Sequence, residues 1–244
     1  MSIWKRLADA TSNLTIGSPV ARLLTGNGEV QNAPKRHELS AQPDNEVPFT
    51  LGIISLSAKM AKADGLVTID EVQAFKHAFK VSPGEMKEAA RAFNLAKRDA
   101  TGYEVLASEL VDLFKGNRKL LEDVLEGLFH IAKADEEVHP REEQFLGQVA
   151  KLFGFTDAEF SHIKARHMVA AKRNNYEVLG VSSSIGDEEL KRHYRKLVAD
   201  NEPDKLLARG VPMEFVAIGI EKVATITEAY EAIANERLST DSHT

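Results

Sequence analysis

Apolar residues recur at intervals of three and four from Val47 to about Met168. Leu51, Ile54, Leu56 and Ala58 begin the series. Phe75, Ala78 and Phe79 follow, then Ala89, Ala90, Phe93 and Leu95, then Val105, Leu106, Leu110, Leu113 and Phe114. After Gly116 the series resumes with Leu120, Leu121, Val124, Leu125, Leu128, Phe129 and Ile131. It closes with Phe145, Val149, Leu152, Phe153, Phe160 and Ile163. β-Branched alternation is missing, so the period is that of helices. Breaks fall at Asp64-Gly65, Ser82-Pro83-Gly84, Thr101-Gly102, Gly116-Asn117, His139-Pro140 and Gly154. The pattern predicts a bundle of about six to seven helices over 47–168.

A second pattern opens at Asn174 with NNYEVLGV, a short helix ending at Gly180. Asp187, Glu188 and Glu189 suit the positive end of the next helix, which runs to about Asp200. Leu190, Tyr194 and Leu197 share one face of it, and Lys191, Arg192, His193, Arg195 and Lys196 occupy the others. Residues 201–212 read as a loop. A last helix, from about Met213 to Glu236, carries Phe215, Ile218, Val223, Ile226, Ala229, Tyr230 and Ile233. Residues 174–237 are therefore expected to form a helical hairpin, with 238–244 a disordered tail. Ahead of the bundle, Ile3, Trp4, Leu7 and Ala8 have helical spacing within residues 1–24. The charge there is thin and the segment short, which favours packing on the protein over a membrane anchor. Residues 25–46, rich in Gly, Pro, Asn and Gln, read as a linker.

The bundle contains a repeat. AKADGLVTIDEVQAF at 61–75 matches AKADEEVHPREEQF at 132–145 with an offset of 71, pairing Asp64 with Asp135 and Glu71 with Glu142. Each copy joins the end of one helix to the start of the next, so a duplicated helical hairpin is the simplest account. Asp64, Glu71, Asp135 and Glu142 are candidate oxygen ligands for a hard cation. Local chemistry explains most of the same pattern. Thr68 and Glu71 have capping-box spacing, and Pro140 and Glu142 suit a first helical turn.

The A-K-A-D-G-x-V-x-x-x-E turn, repeated in an all-helical segment, resembles the TerB-like fold associated with tellurite resistance. That resemblance implies a metal site, and hence a divalent cation, at Asp64, Glu71, Asp135 and Glu142. The YEVLGV start, the KRHYRKLV helix, the Pro-Asp of the loop and the ITEAYEAI helix together resemble a J-domain. In this order the two resemble the DjlA group of DnaJ-type co-chaperones. The resemblance implies an all-α protein: an N-terminal TerB-like helical bundle plus a C-terminal J-domain helical hairpin. It implies a DnaK-type chaperone as partner, with client proteins beyond it. The implied binding residues are Lys191, Arg192, Arg195, Lys196, Glu202, Pro203, Asp204 and Lys205.

One position departs from the pattern. The J-domain signature is His-Pro-Asp, and this chain reads Glu202-Pro203-Asp204. An anion that only accepts hydrogen bonds replaces an imidazole donor, so ATPase stimulation is expected to be weakened. The other reading of this difference is a J-like scaffold or stress-sensing protein that binds without stimulating.

Composition narrows the remaining classes. The 244 residues carry a net charge of -6, and no stacking aromatics interleave with the basic run, so nucleic-acid binding is not expected. There is no cysteine, hence no disulfide or thiolate nucleophile. No nucleophile–base pair or Gly-rich phosphate loop is legible, so an enzyme is not expected, nor an organic cofactor. DjlA relatives carry an N-terminal membrane span, and none is legible here. Cytoplasmic residence is expected, with at most peripheral contact at the inner membrane.

Overall fold

A helix that is apolar on every side has to sit at the centre of a bundle. EVPFTLGIISLSAKMAKAD is such a sequence, and it forms α2 (Glu46–Asp64) in a computed structural model that describes residues 2–10, 45–64, 81, 84, 86–98, 101–133 and 138–241. Phe49, Ile53, Ile54, Leu56 and Ala58 are all buried. Its small polar residues turn back on their own backbone. Thr50 Oγ1 donates to the Glu46 carbonyl at 2.8 Å and Ser55 Oγ to the Leu51 carbonyl at 2.6 Å.

Around α2 pack α1 (Ile3–Ala10), α3 (Met86–Arg98), α4 (Tyr103–Leu113), α5 (Arg118–Ala132) and α6 (Pro140–Leu152); α7 (Asp157–His167) closes on α5 and α6. Ile3, Trp4 and Leu7 of α1 are buried in the common core, each contributing on the order of 2 kcal/mol. This is the packing expected of that segment, with its three large apolar side chains covered. Asn117 caps α5 and Thr156 caps α7, the latter in a capping box with Glu159. Val105 and Leu113, which fit the apolar period, are exposed, because α4 buries only Leu106, Ala107 and Leu110. The sequence 11–44, expected to hold most of the linker, lies outside the described residues.

The C-terminal part comprises α8 (Asn175–Leu179), α9 (Asp187–Asp200), α10 (Pro203–Ala208) and α11 (Val216–Asp241). Gly180 ends α8 with φ +68, a left-handed cap that glycine adopts without a Cβ clash. Val178, Leu179, Leu190, Ile226, Ala229 and Ile233 form the core in which α8, α9 and α11 meet. Tyr194 stacks on Tyr230 at 4.2 Å between ring centres.

Two expectations are corrected here. Residues 201–212 are not an open loop: Pro203 presets the first helical φ, Asp204 faces the positive helix end, and Leu206, Leu207 and Ala208 favour helix, so α10 forms. The last helix also continues to Asp241, into the expected tail, with Arg237 paired to Asp187 and Ser239 Oγ bonded to the Asn235 carbonyl, while 242–244 lie outside the described residues. Among the described residues there is no strand, and the fold is all-α. No described helix is long and apolar enough to cross a membrane.

Candidate functional site

The basic residues of α9 face outward because its apolar face is taken. Leu190 is buried against α11, and His193 Nε2 donates to the Leu179 carbonyl at 2.8 Å, which removes His193 from the exposed set. Lys191, Arg192, Arg195 and Lys196 are exposed. Among the described residues Lys191, Arg192 and Arg195 have no ion-pair partner. Lys196 meets Asp200 at 3.1 Å, one turn on. Glu202, Pro203, Asp204 and Lys205 follow at the entry to α10, all exposed. Glu202 occupies the position before the helix without bonding a backbone N–H through its side chain. The eight residues expected to bind a partner therefore lie on two consecutive helices with their side chains in solvent.

The segment behind them is fixed to the bundle. Leu206, Val211 and Phe215 are buried in the same core as Phe49, with Phe49 and Phe215 edge-to-face at 5.1 Å. Arg209 reaches across to α5. Its Nε and Nη2 donate to the two oxygens of Asp123 at 2.5 and 2.9 Å, and its Nη1 donates to the Asp200 carbonyl at 2.6 Å. Asp200 also meets Lys119 of α5 at 2.8 Å. Burial opposes its charge, but Lys119 and Lys196 prevail and hold its carboxyl below the ordinary range. Gly210 then turns the chain with φ +99, where an added Cβ would sit 2.4 Å from the Asn45 Cβ. Gly210→Ala is expected to lower stability by about 1–2 kcal/mol, read as a shift in urea midpoint at constant slope.

A second charged cluster lies between α5, α7 and α11. Glu126 is almost fully buried, and its Oε1 meets Arg166 at 2.6 Å and Lys222 at 3.1 Å, while its Oε2 meets His167 Nε2 at 2.6 Å. Glu122 accepts from Arg166 at 2.7 Å and Lys222 at 2.8 Å. Burial alone would raise both carboxyls. Lys222 and Arg166 overcome it, holding Glu122 at about 2 and Glu126 well below its ordinary value. Asp123 differs: burial raises its carboxyl although Arg209 pulls the other way.

These partners escaped the sequence reading, although a signal was present. Glu122, Asp123 and Glu126 interrupt the otherwise apolar run LLEDVLEGLFHIA, and carboxylates buried in such a helix require cationic partners. The partners, Arg166, Arg209 and Lys222, are 40, 86 and 100 residues away.

Of the four expected cation ligands, Asp64 closes α2, but its side chain, Glu71 and Asp135 lie outside the described residues. Glu142 is described, and its Oε2 accepts from the His139 backbone N–H at 2.9 Å while His139 Nδ1 accepts from the Arg141 N–H at 3.3 Å. His139 is thus the cap of α6, a role not assigned to it from sequence. Among the described residues no group of three or more His, Asp or Glu could hold a metal ion.

The sequence that folds into this bundle and hairpin has known relatives. Residues 50–165 match the family described as Tellurite resistance protein TerB. The chain is similar to Co-chaperone protein DjlA of Vibrio cholerae serotype O1, 30% identical over 232 residues covering 81% of each chain. It is also similar to Co-chaperone protein DjlA of Photobacterium profundum, 27% identical with 80% of this chain and 79% of the relative covered. The protein of the same name in Coxiella burnetii is 28% identical over 73% of each. No solved structure matches. The chain belongs to the DjlA family of co-chaperones.

Proposed function

We propose that the α9–α10 surface is a J-domain docking face, through which the protein binds a DnaK-type chaperone and regulates its ATPase and its hold on client proteins. The observation that carries this reading is the joint exposure of Lys191, Arg192 and Arg195 on α9, unneutralised among the described residues, with Pro203-Asp204 exposed at the start of α10. Such a cationic face fits an acidic surface on the partner, and its charge governs encounter and orientation more than final affinity. Lys196 and Lys205 extend the cationic surface on either side of the turn. Glu202 places an anion where the family signature has an imidazole, so the native chain docks but stimulates weakly. The cytoplasm, where a DnaK-type partner resides, is the compartment this reading requires. Peripheral membrane contact is not assigned to α1, whose Ile3, Trp4 and Leu7 are packed in the bundle.

Calorimetric titration of the full chain against an ATP-loaded DnaK-type chaperone tests the docking face. Arg195→Glu is expected to weaken binding about tenfold at low salt, with the gap closing as ionic strength rises. Equal affinity of the native and Arg195→Glu chains at low salt would place the contact elsewhere.

A further inference from the structure

Glu202, Pro203, Asp204 and Lys205 of the docking face sit on a turn whose exposed side chains do little to hold it. Glu202 makes no cap bond, and Pro203, Asp204 and Lys205 are exposed. Just before the turn, buried Asn201 donates from Nδ2 to the Leu197 carbonyl of α9 at 2.8 Å, and the bonds that tie the turn to the rest of the fold come from the bundle. Arg209 lies five residues beyond Asp204 and is largely buried, and its guanidinium makes three hydrogen bonds that join three elements. Two go to Asp123 on α5, and one goes to the carbonyl of Asp200 in the last turn of α9. The Arg209 backbone is held as well: its carbonyl accepts from Asn45 Nδ2 at 3.4 Å, beside the start of α2. A planar guanidinium with donors on fixed edges suits this three-way junction, since it can grip a carboxylate with one edge and a carbonyl with another.

We infer that Arg209, anchored by Asp123, is a positioning residue: it sets the Glu202-Pro203-Asp204 turn relative to α9, so that the bundle is a working part of the docking face. This rests on the docking reading above. Asp200 is the hinge point. Its carbonyl is held by Arg209, and its carboxylate by Lys119 from the bundle and Lys196 from α9. Loss of Arg209 would free the end of α9 from α5 on one side only. The apolar anchors Leu206, Val211 and Phe215 would still keep α10 on the bundle. The consequence is therefore a shift in how the turn is presented, with the fold retained.

The full chain is tested as native protein and as Glu202→His, each with Arg209→Lys or Asp123→Asn. Amide hydrogen exchange reads the order of the turn through the Lys205 and Leu206 N–H groups, which bond the Glu202 carbonyl at 2.9 and 3.0 Å. The Val178 amide of α8 serves as an internal reference. Single-turnover ATP hydrolysis by a DnaK-type chaperone reads presentation. Both substitutions are expected to speed exchange at Lys205 and Leu206 about tenfold, leaving Val178 unchanged. Maximal stimulation is expected to fall by a similar factor, with the half-saturating concentration moving less. Arg195→Ala should do the reverse, raising that concentration without altering exchange at the turn. Unchanged exchange at Lys205 and Leu206 overturns the inference, and so does faster exchange with full stimulation. Should no chain stimulate, Glu202→His included, the docking reading falls. Exchange would then still decide whether Arg209 orders the turn.

Discussion

Glu126→Leu is expected to destabilise the protein by about 3–5 kcal/mol, the usual cost of removing one member of a buried charged cluster. Glu126 is the common partner of Arg166, Lys222 and His167, all largely buried. Without it Glu122 alone must answer both cations, and it lies at the edge of the cluster. A leucine supplies apolar contact but leaves Arg166 and Lys222 desolvated and under-compensated. The effect is read from urea denaturation as a lowered midpoint. Because the cluster joins α5 and α7 to α11, the hairpin and the bundle are expected to lose structure together. Acid acts on the same residues. Glu122 and Glu126 are held below the ordinary carboxylate value, so their stabilisation is complete above about pH 4.5 and drains as pH falls. For Glu122 the window runs from 4.5 to about 2 and corresponds to at most about 3 kcal/mol. Asp123, raised by burial, takes up its proton before either of them and moderates the loss. Thermal melts taken between pH 5 and pH 2 should fall across this window.

Glu202→His is expected to raise maximal stimulation of a DnaK-type ATPase about tenfold over the native chain, with stability unchanged within about 0.5 kcal/mol. The side chain at 202 is exposed and bonds no backbone N–H, so the substitution disturbs neither α10 nor the core beneath it. What changes is the chemistry presented to the partner. An acceptor-only carboxylate gives way to an imidazole that can donate, and a negative charge leaves the side of a cationic face. Pro203 continues to open α10 and Asp204 keeps its place in the first turn. Stimulation, measured in single turnover, is expected to rise with no change in the thermal midpoint.

The helical period of the sequence made the bundle and the hairpin legible, since Leu120, Val124, Leu128 and Ile131 or Leu190 and Ile226 bury where the spacing puts them. The exposure of the basic residues on α9 was legible for the same reason, while the docking role proposed for them comes from the J-domain resemblance. Once Leu190 faces inward, Lys191, Arg192 and Arg195 have only solvent to face. The assembly of the two parts was not legible. Phe215 and Ile218 look like members of the hairpin, yet they are buried with Phe49 of α2, while Ile226, Ala229 and Ile233 farther along α11 complete the hairpin core. A helix serving two cores shows a single unbroken period, so nothing local marks the change of partner. Arg209 was hidden because its value depends on Asp123, 86 residues earlier, and no pattern within a helix connects them. α10 was missed because a proline inside a polar stretch signals a turn and a helix start equally well.

The central claim is tested most directly by single-turnover ATP hydrolysis in a DnaK-type chaperone, titrated with the full native chain and with Asp204→Asn. The account predicts a small, saturable rise in hydrolysis rate with the native chain and none with Asp204→Asn. An unchanged rate at concentrations where the native chain is fully bound, or an equal rise with Asp204→Asn, would contradict it.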